Sequence, residues 1–150
     1  GETGLDKVHK PVMPLEDQEP FFLTQKELAC KLNRPVVLHC VKAWHWLLPL
    51  LPGLPAPFLC HAFQGSREVP HSLLDMGAYF SFGPRELLSE KGRSTLTFVP
   101  SDRYMLESDG ATPEDVEAAI RESAVRTGTS PEDFIAQATI NSLRFLERIP

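Results

Sequence analysis

Apolar residues in this chain fall into short, dense runs, separated by longer stretches in which apolar and polar positions mix. Residues 35–41 (PVVLHCV) are a β-branched, nearly continuous apolar run, as expected of a strand buried on both faces. Residues 57–63 (PFLCHAF) and 78–82 (AYFSF) read the same way, the second closed by Gly83 and Pro84, and a last strand is predicted over 103–109 (RYMLESD). A helix is predicted from about Phe22 to Leu32, where Phe21, Leu28 and Leu32, with Ala29 between them, fit a 3.6-residue period and Asn33 and Pro35 supply the stop. Further helical stretches are expected over 43–51 and 66–76, the latter ended by Gly77, with a short helix or loop over 85–93. Thr112, Pro113, Glu114 and Asp115 make a helix start with a capping hydroxyl, Pro at the first helical position and acids in the first turn. Residues 130–133 repeat that signal for a final helix ending near Leu146. At the front of the chain, residues 1–6 read as ending in a turn at Gly4, followed by a Pro- and charge-rich loop over 7–20. Strands alternating with helices at short intervals imply βα units and parallel pairing.

Length and composition narrow this picture. The 150 residues suit one domain, 1–150, but a complete α/β barrel takes roughly 250. Together with the absence of a leading Met, this leads us to expect an N-terminally incomplete piece, a processed product or a trimmed chain. Apolar residues at 42% are enough for a packed core. The most apolar stretch, 44–54, is broken by Pro49, Pro52 and Gly53, so no membrane span is expected. Three cysteines without a C-x-x-C spacing argue against a disulfide framework and for a reducing cytoplasm. A formal charge of −5 argues against a broad basic face for nucleic acid, while leaving room for a local site where metal ions and a few basic side chains meet phosphates.

Candidate chemistry lies at the ends of the strands. His39 follows Pro-Val-Val-Leu, His61 follows Pro-Phe-Leu-Cys, and Asp109 stands near the end of the last strand; Glu2 lies close to the chain start. In a parallel barrel the carboxyl ends of all strands meet at one face, so residues distant in sequence can converge there. Imidazole nitrogen and carboxylate oxygen suit Zn²⁺, Mn²⁺ or a similar divalent ion, and a site with both can hold a metal pair. Each residue also has a plainer reading. A histidine at a strand end is commonly a hydrogen-bonded core residue, Glu2 could be merely solvated, and Asp109 before Gly110 would suit a turn.

Four blocks then carry a resemblance. GETGLD (1–6), PVVLHC (35–40), HAFQGS (61–66) and LESDG (106–110) resemble, in order, the TatD-family blocks G-E-I/T-G-L-D, P-V-I/V-I/L-H-C, H-C-F-S-G-S and L-E-T-D-A-P. Residues 21–35 resemble the helix before the family's first His strand, and Thr139 with Asn141 its last helix. The resemblance implies an α/β fold, a partial TIM-type (β/α) barrel covering about the fourth to eighth strands. It implies a divalent-metal-dependent hydrolase, of the phosphodiesterase or deoxyribonuclease kind, with DNA or other nucleic acid as substrate and two divalent ions (Zn, Mg or Mn). Glu2 matches the family's bridging carboxylate, His39 and His61 the histidines of the second metal, and Asp109 a ligand that can accept a proton from water. Glu2 and Asp109 would thus be the catalytic carboxylates. Glu107 matches a carboxylate supporting the ligands, and Lys42, Arg67, Arg85 and Arg103 are candidates for phosphate contact.

The chain also departs from the family pattern. The His-x-His pair of the first strand is absent, and neither His9 nor His71 has that spacing; His45, beside two Trp, is expected to pack or cap. The basic residue after H-C is shifted by one to Lys42, Ala62 replaces a Cys, and Gly110-Ala111 replaces A-P. A hydrolase of esters or amides and an inactive fragment are therefore the alternatives.

Overall fold

The computed structural model describes residues 1–8, 13–65 and 68–147; His9, Ser66 and Arg67 lie outside the described residues. Five strands, β1 (Thr3–Asp6), β2 (Val37–Val41), β3 (Phe58–Cys60), β4 (Ala78–Phe82) and β5 (Tyr104–Leu106), form one sheet in the order β1-β2-β3-β4-β5. Every neighbouring pair is parallel. Parallel neighbours in chain order need right-handed crossovers that all fall on the same side, so the helices cover one face and the sheet can curl as a barrel wall.

The helices are α1 (Leu15–Leu32), α2 (Trp44–Leu47) with a 3₁₀ turn (Leu48–Leu50), α3 (Glu68–Asp75), α4 (Pro84–Leu87), α5 (Glu90–Leu96), α6 (Pro113–Thr127) and α7 (Pro131–Leu146). Leu5, Leu38, Phe58, Cys60, Phe80 and Phe82 point from the sheet into one large apolar cluster with Phe22, Leu47, Leu73 and Phe134 from the helices. Full burial of a side chain of this size contributes roughly 1.5–3 kcal/mol. The alternate residues turn to the opposite face, where Tyr79, Met105 and Phe145 form a small second cluster with Leu59 against it. The two Pro-led helices start as the sequence indicates: Thr112 Oγ1 accepts from the Asp115 N–H and Ser130 Oγ from the Asp133 N–H.

Four local expectations are corrected. Residues Thr3–Asp6 form a strand rather than a turn, because Gly4 lies opposite His39 in the parallel register and a Cβ there would sit 1.8 Å from the His39 carbonyl oxygen. The first helix begins at Leu15, inside the stretch read as loop, and carries Pro20 within it. Its buried stripe is Leu15, Phe22 and part-buried Ala29, whereas Phe21, Leu28 and Leu32 are 60%, 54% and 55% exposed. The last strand stops at Leu106, so Glu107 and Asp109 stand beyond it.

Candidate metal centre

The strand pleat explains how one site draws on several elements. Residues two apart on a strand share a face, so Gly4 and Asp6 line one side of β1 and Glu2, just before its first residue, continues the alternation beside His39 on β2. His61 follows β3, its N–H bonded to the Leu38 carbonyl, which continues the strand ladder by one residue. The carboxylate of Glu2 sits between the two rings. Its Oε1 is 3.7 Å from His39 Nδ1 and its Oε2 is 3.4 Å from His61 Nε2. The imidazole centroids are 6.4 Å apart.

Each ring is held from behind by a second carboxylate. His39 Nε2 lies 3.3 Å from Asp6 Oδ2, and His61 Nδ1 lies 2.8 Å from Glu107 Oε2. Both imidazoles thus have an outer carboxylate that fixes ring orientation and an inner nitrogen turned toward Glu2, the arrangement found around metal-binding histidines. Burial acts to lower the His61 pKa, but the hydrogen bond to Glu107 and the charges of Glu107, Glu2 and Asp109 outweigh it, leaving the ring more basic than an ordinary histidine.

The donor set fits a divalent cation. One ligand atom each from Glu2, His39 and His61 lies within 4.8 Å of the others. Neighbouring ligand atoms around a tetrahedral Zn²⁺ with bonds near 2.1 Å are about 3.4 Å apart, close to the 3.4 and 3.7 Å gaps to Glu2. In addition, Glu107 Oε1 is buried without a hydrogen-bond partner among the described residues, an unbalanced acceptor behind His61 that positive charge on the ring would stabilise.

Asp109 is placed differently. It lies in the turn with Gly110, at φ 44°, and lines the same cavity, but its carboxylate does not join the three-residue cluster. That cavity, of about 500 Å³, opens at the carboxyl ends of the strands and is also lined by Lys42, Gln64, Arg85 and Lys91. Arg103 is not at this mouth: it precedes β5, bonds Asp102 at 2.7 Å and lies over the Tyr79 ring at 5.2 Å. Arg67 falls outside the described residues. His45 is exposed and lines the cavity without a place in the cluster. Size alone does not single out the site, since a second cavity of about 520 Å³ opens between Tyr104, Arg126, Thr129 and Asp133 without the imidazoles.

Sequence reasoning missed Asp6 and Lys91. Alternation of Glu2, Gly4 and Asp6 was the available signal for Asp6, and reading Gly4 as a turn hid it. Lys91 reaches the mouth only through the fold of α4 and α5.

A curled parallel sheet whose strands deliver two imidazoles and a carboxylate to one mouth defines a metal-binding protein of the (β/α)-barrel class. Comparison with known proteins then gives the family: residues 1–147 match the TatD related DNase family, and the chain belongs to it. The 3'-5' ssDNA/RNA exonuclease TatD of Edwardsiella piscicida is 30% identical over 171 aligned positions, covering 99% of this chain and 65% of that protein. The Pantoea ananatis protein of the same name is 37% identical over 116 positions, 73% of this chain and 44% of that protein. The TatD family hydrolase of Entamoeba histolytica superposes with a TM-score of 0.83 at 19% identity, over 97% of this chain and 62% of that structure, which confirms the barrel-type fold. The chain therefore spans less than two thirds of the length of these relatives.

Proposed function

We propose that the chain carries the second-metal half of a divalent-metal-dependent phosphodiesterase, acting on nucleic acid. The observation that carries this reading is the convergence of Glu2, His39 and His61, backed by Asp6 and Glu107, at the carboxyl mouth of a TatD-family sheet. Relatives named as ssDNA/RNA exonucleases support phosphodiester substrates, and the Escherichia coli relative named as an uncharacterized metal-dependent hydrolase supports the metal.

A bound divalent cation supplies Lewis-acid chemistry, lowering the pKa of water and offsetting charge at phosphorus. The chain's own residues have separate tasks. Glu2, His39 and His61 would hold the cation, and Asp6 and Glu107 fix the two rings so that their inner nitrogens stay turned toward Glu2. Asp109, at the rim, accepts the proton of the attacking water, a role open to it because it is not committed to the three-residue cluster. Zn²⁺, Mn²⁺ and Mg²⁺ remain the candidate ions, with nitrogen donors favouring the first two.

Three free cysteines fit a reducing compartment, and we place the protein in the cytoplasm. No helix among the described residues is long and apolar enough to cross a membrane. The test is hydrolysis of single-stranded DNA and of small carboxylic esters and amides with added Zn²⁺, Mn²⁺ or Mg²⁺. Metal-dependent turnover of DNA, lost in Asp109→Asn, is expected; turnover of esters or amides alone would favour the other hydrolase reading, and no turnover at all an inactive chain.

A further inference from the structure

We propose that Lys42, Arg85 and Lys91 form a subsite for a second phosphate of a nucleic-acid strand, beside the one at the cation site. This deepens the phosphodiesterase reading of the mouth and rests on it.

Charge pairing is the first observation. Four arginines elsewhere are matched with carboxylates: Arg93 with Glu90 and Glu122, Arg103 with Asp102, Arg121 with Glu117 and Arg126 with Glu90. The side chains of Lys42, Arg85 and Lys91 form no hydrogen bond or ion pair among the described residues, and all three residues line the mouth cavity. In a chain of net charge −5, three cations gathered without a carboxylate partner need a reason. The acids adjacent in sequence do not neutralise them: Glu90, next to Lys91, faces Arg93 and Arg126 instead. Glu86 is 3% exposed and fully engaged, with Oε1 accepting from Gln64 Nε2 at 2.9 Å and Oε2 from the Gly83 N–H at 3.1 Å.

Backbone conformation is the second. Among the described residues four non-glycine positions have positive φ; Asn33 caps α1, and the other three, Lys42 (52°), Ala62 (45°) and Asp109 (44°), all stand just beyond strand carboxyl ends at the mouth. Strain of this kind persists where the surrounding structure enforces it and collects at binding sites. At Lys42 it turns the chain sharply as it leaves β2, with the side chain on the cavity wall. Room is the third. A cavity of about 500 Å³ is the size of a small-ligand pocket and exceeds what one phosphate group fills.

A second phosphate contact would make the protein favour a polynucleotide over a substrate with a single phosphate. Fluorescence anisotropy of fluorescein-labelled octathymidylate in Ca²⁺, using the full chain, tests this. In R85Q/K91Q the affinity should fall tenfold or more, and the slope of log K against log salt should shrink by about 0.7 for each cation removed. Arg85→Lys with Lys91→Arg should keep most of the binding, and Arg144→Gln, an exposed cation on α7, should leave affinity and slope as in the wild type. Hydrolysis adds a second readout: the loss of kcat/KM in R85Q/K91Q should be at least tenfold larger on octathymidylate than on bis(p-nitrophenyl) phosphate. Wild-type affinity and salt slope in R85Q/K91Q, or equal losses on the two substrates, would overturn the subsite. Failure of the wild type to hydrolyse either phosphodiester with metal would instead overturn the phosphodiesterase reading, while the anisotropy still decides whether the three cations hold phosphate.

Discussion

Two polar clusters of this molecule are built to opposite standards. Where α7 meets β5, Asn141 is completely buried, its amide donates to the carbonyls of Ser101 and Tyr104 at 2.8 and 2.7 Å, and its oxygen accepts from Gln137 Nε2 at 2.9 Å. The Tyr104 hydroxyl bonds the Phe134 carbonyl at 3.1 Å, and the two rings stack at 4.8 Å. At the mouth, by contrast, Glu2 is 43% exposed on its side chain and stands 3.4 and 3.7 Å from the histidines it faces. Glu107 Oε1 is buried with no partner at all among the described residues. The first cluster is complete in protein atoms alone. The second leaves an acceptor unbalanced that positive charge among these side chains would satisfy, the difference expected between a structural polar group and a binding one.

The largest effect that would sharpen this contrast is loss of a ligand. Sharing an apparent Zn²⁺ binding free energy of roughly 10–16 kcal/mol among four ligands, the three side chains and a water, gives about 2.5–4 kcal/mol each. His61→Ala should therefore weaken Zn²⁺ binding by roughly fiftyfold or more by competition titration, with the metal-free melting temperature little changed. Unaltered affinity would remove His61 from the ligand set.

Next comes the anchor. Asn141→Leu leaves two carbonyls without their donor in a closed site, a loss of about 2–3 kcal/mol, which for a chain of this size lowers Tm by roughly 4–12 °C. Metal affinity of the folded protein should be retained. A melting temperature equal to the wild type would show that water or a neighbour replaces the amide.

Smaller effects are expected behind the rings. Asp6→Asn and Glu107→Gln should each lower metal affinity about 10- to 100-fold without changing the number of ions bound. A change in stoichiometry would mean that these carboxylates are ligands themselves. The mildest test uses thiols. Burial pushes the Cys40 thiol up to about 12 and Cys60 well above its ordinary value, so neither carries appreciable thiolate at pH 8, whereas Cys30 is exposed. Mass spectrometry after iodoacetamide treatment of native protein should find label on Cys30 alone. Rapid labelling of Cys40, which lines the mouth, would show that cavity to be more open to solvent than its burial indicates.

The same contrast accounts for what could be read from the residues. β2, β3 and β4 were legible because strands buried in a parallel sheet write continuous apolar runs. His39 and His61 were legible as polar interruptions at the ends of those runs. β1 was not, since its four residues hold one buried side chain, Leu5, and a glycine that serves a close backbone approach rather than a turn. A period begun at Phe21 hides the buried face of α1: from the helix start at Leu15, the stripe of Leu15, Phe22 and Ala29 emerges at seven-residue spacing. The end of β5 was placed too late because Glu107, whose N–H still bonds the Phe82 carbonyl at 3.1 Å, prolongs the strand pattern past Leu106. Lys91 could not be found locally, for α5 is brought back against α4 by Gly92, where a Cβ would lie 2.0 Å from the Glu86 carbonyl oxygen.

If Glu2, His39 and His61 share one cation, anomalous diffraction from crystals grown with Zn²⁺ should locate it. A peak is expected within about 2.0–2.2 Å of a nitrogen of each histidine and an oxygen of Glu2, with Asp6 and Glu107 still on the far sides of the rings. An anomalous peak elsewhere on the molecule, or none at this mouth, would contradict the shared site.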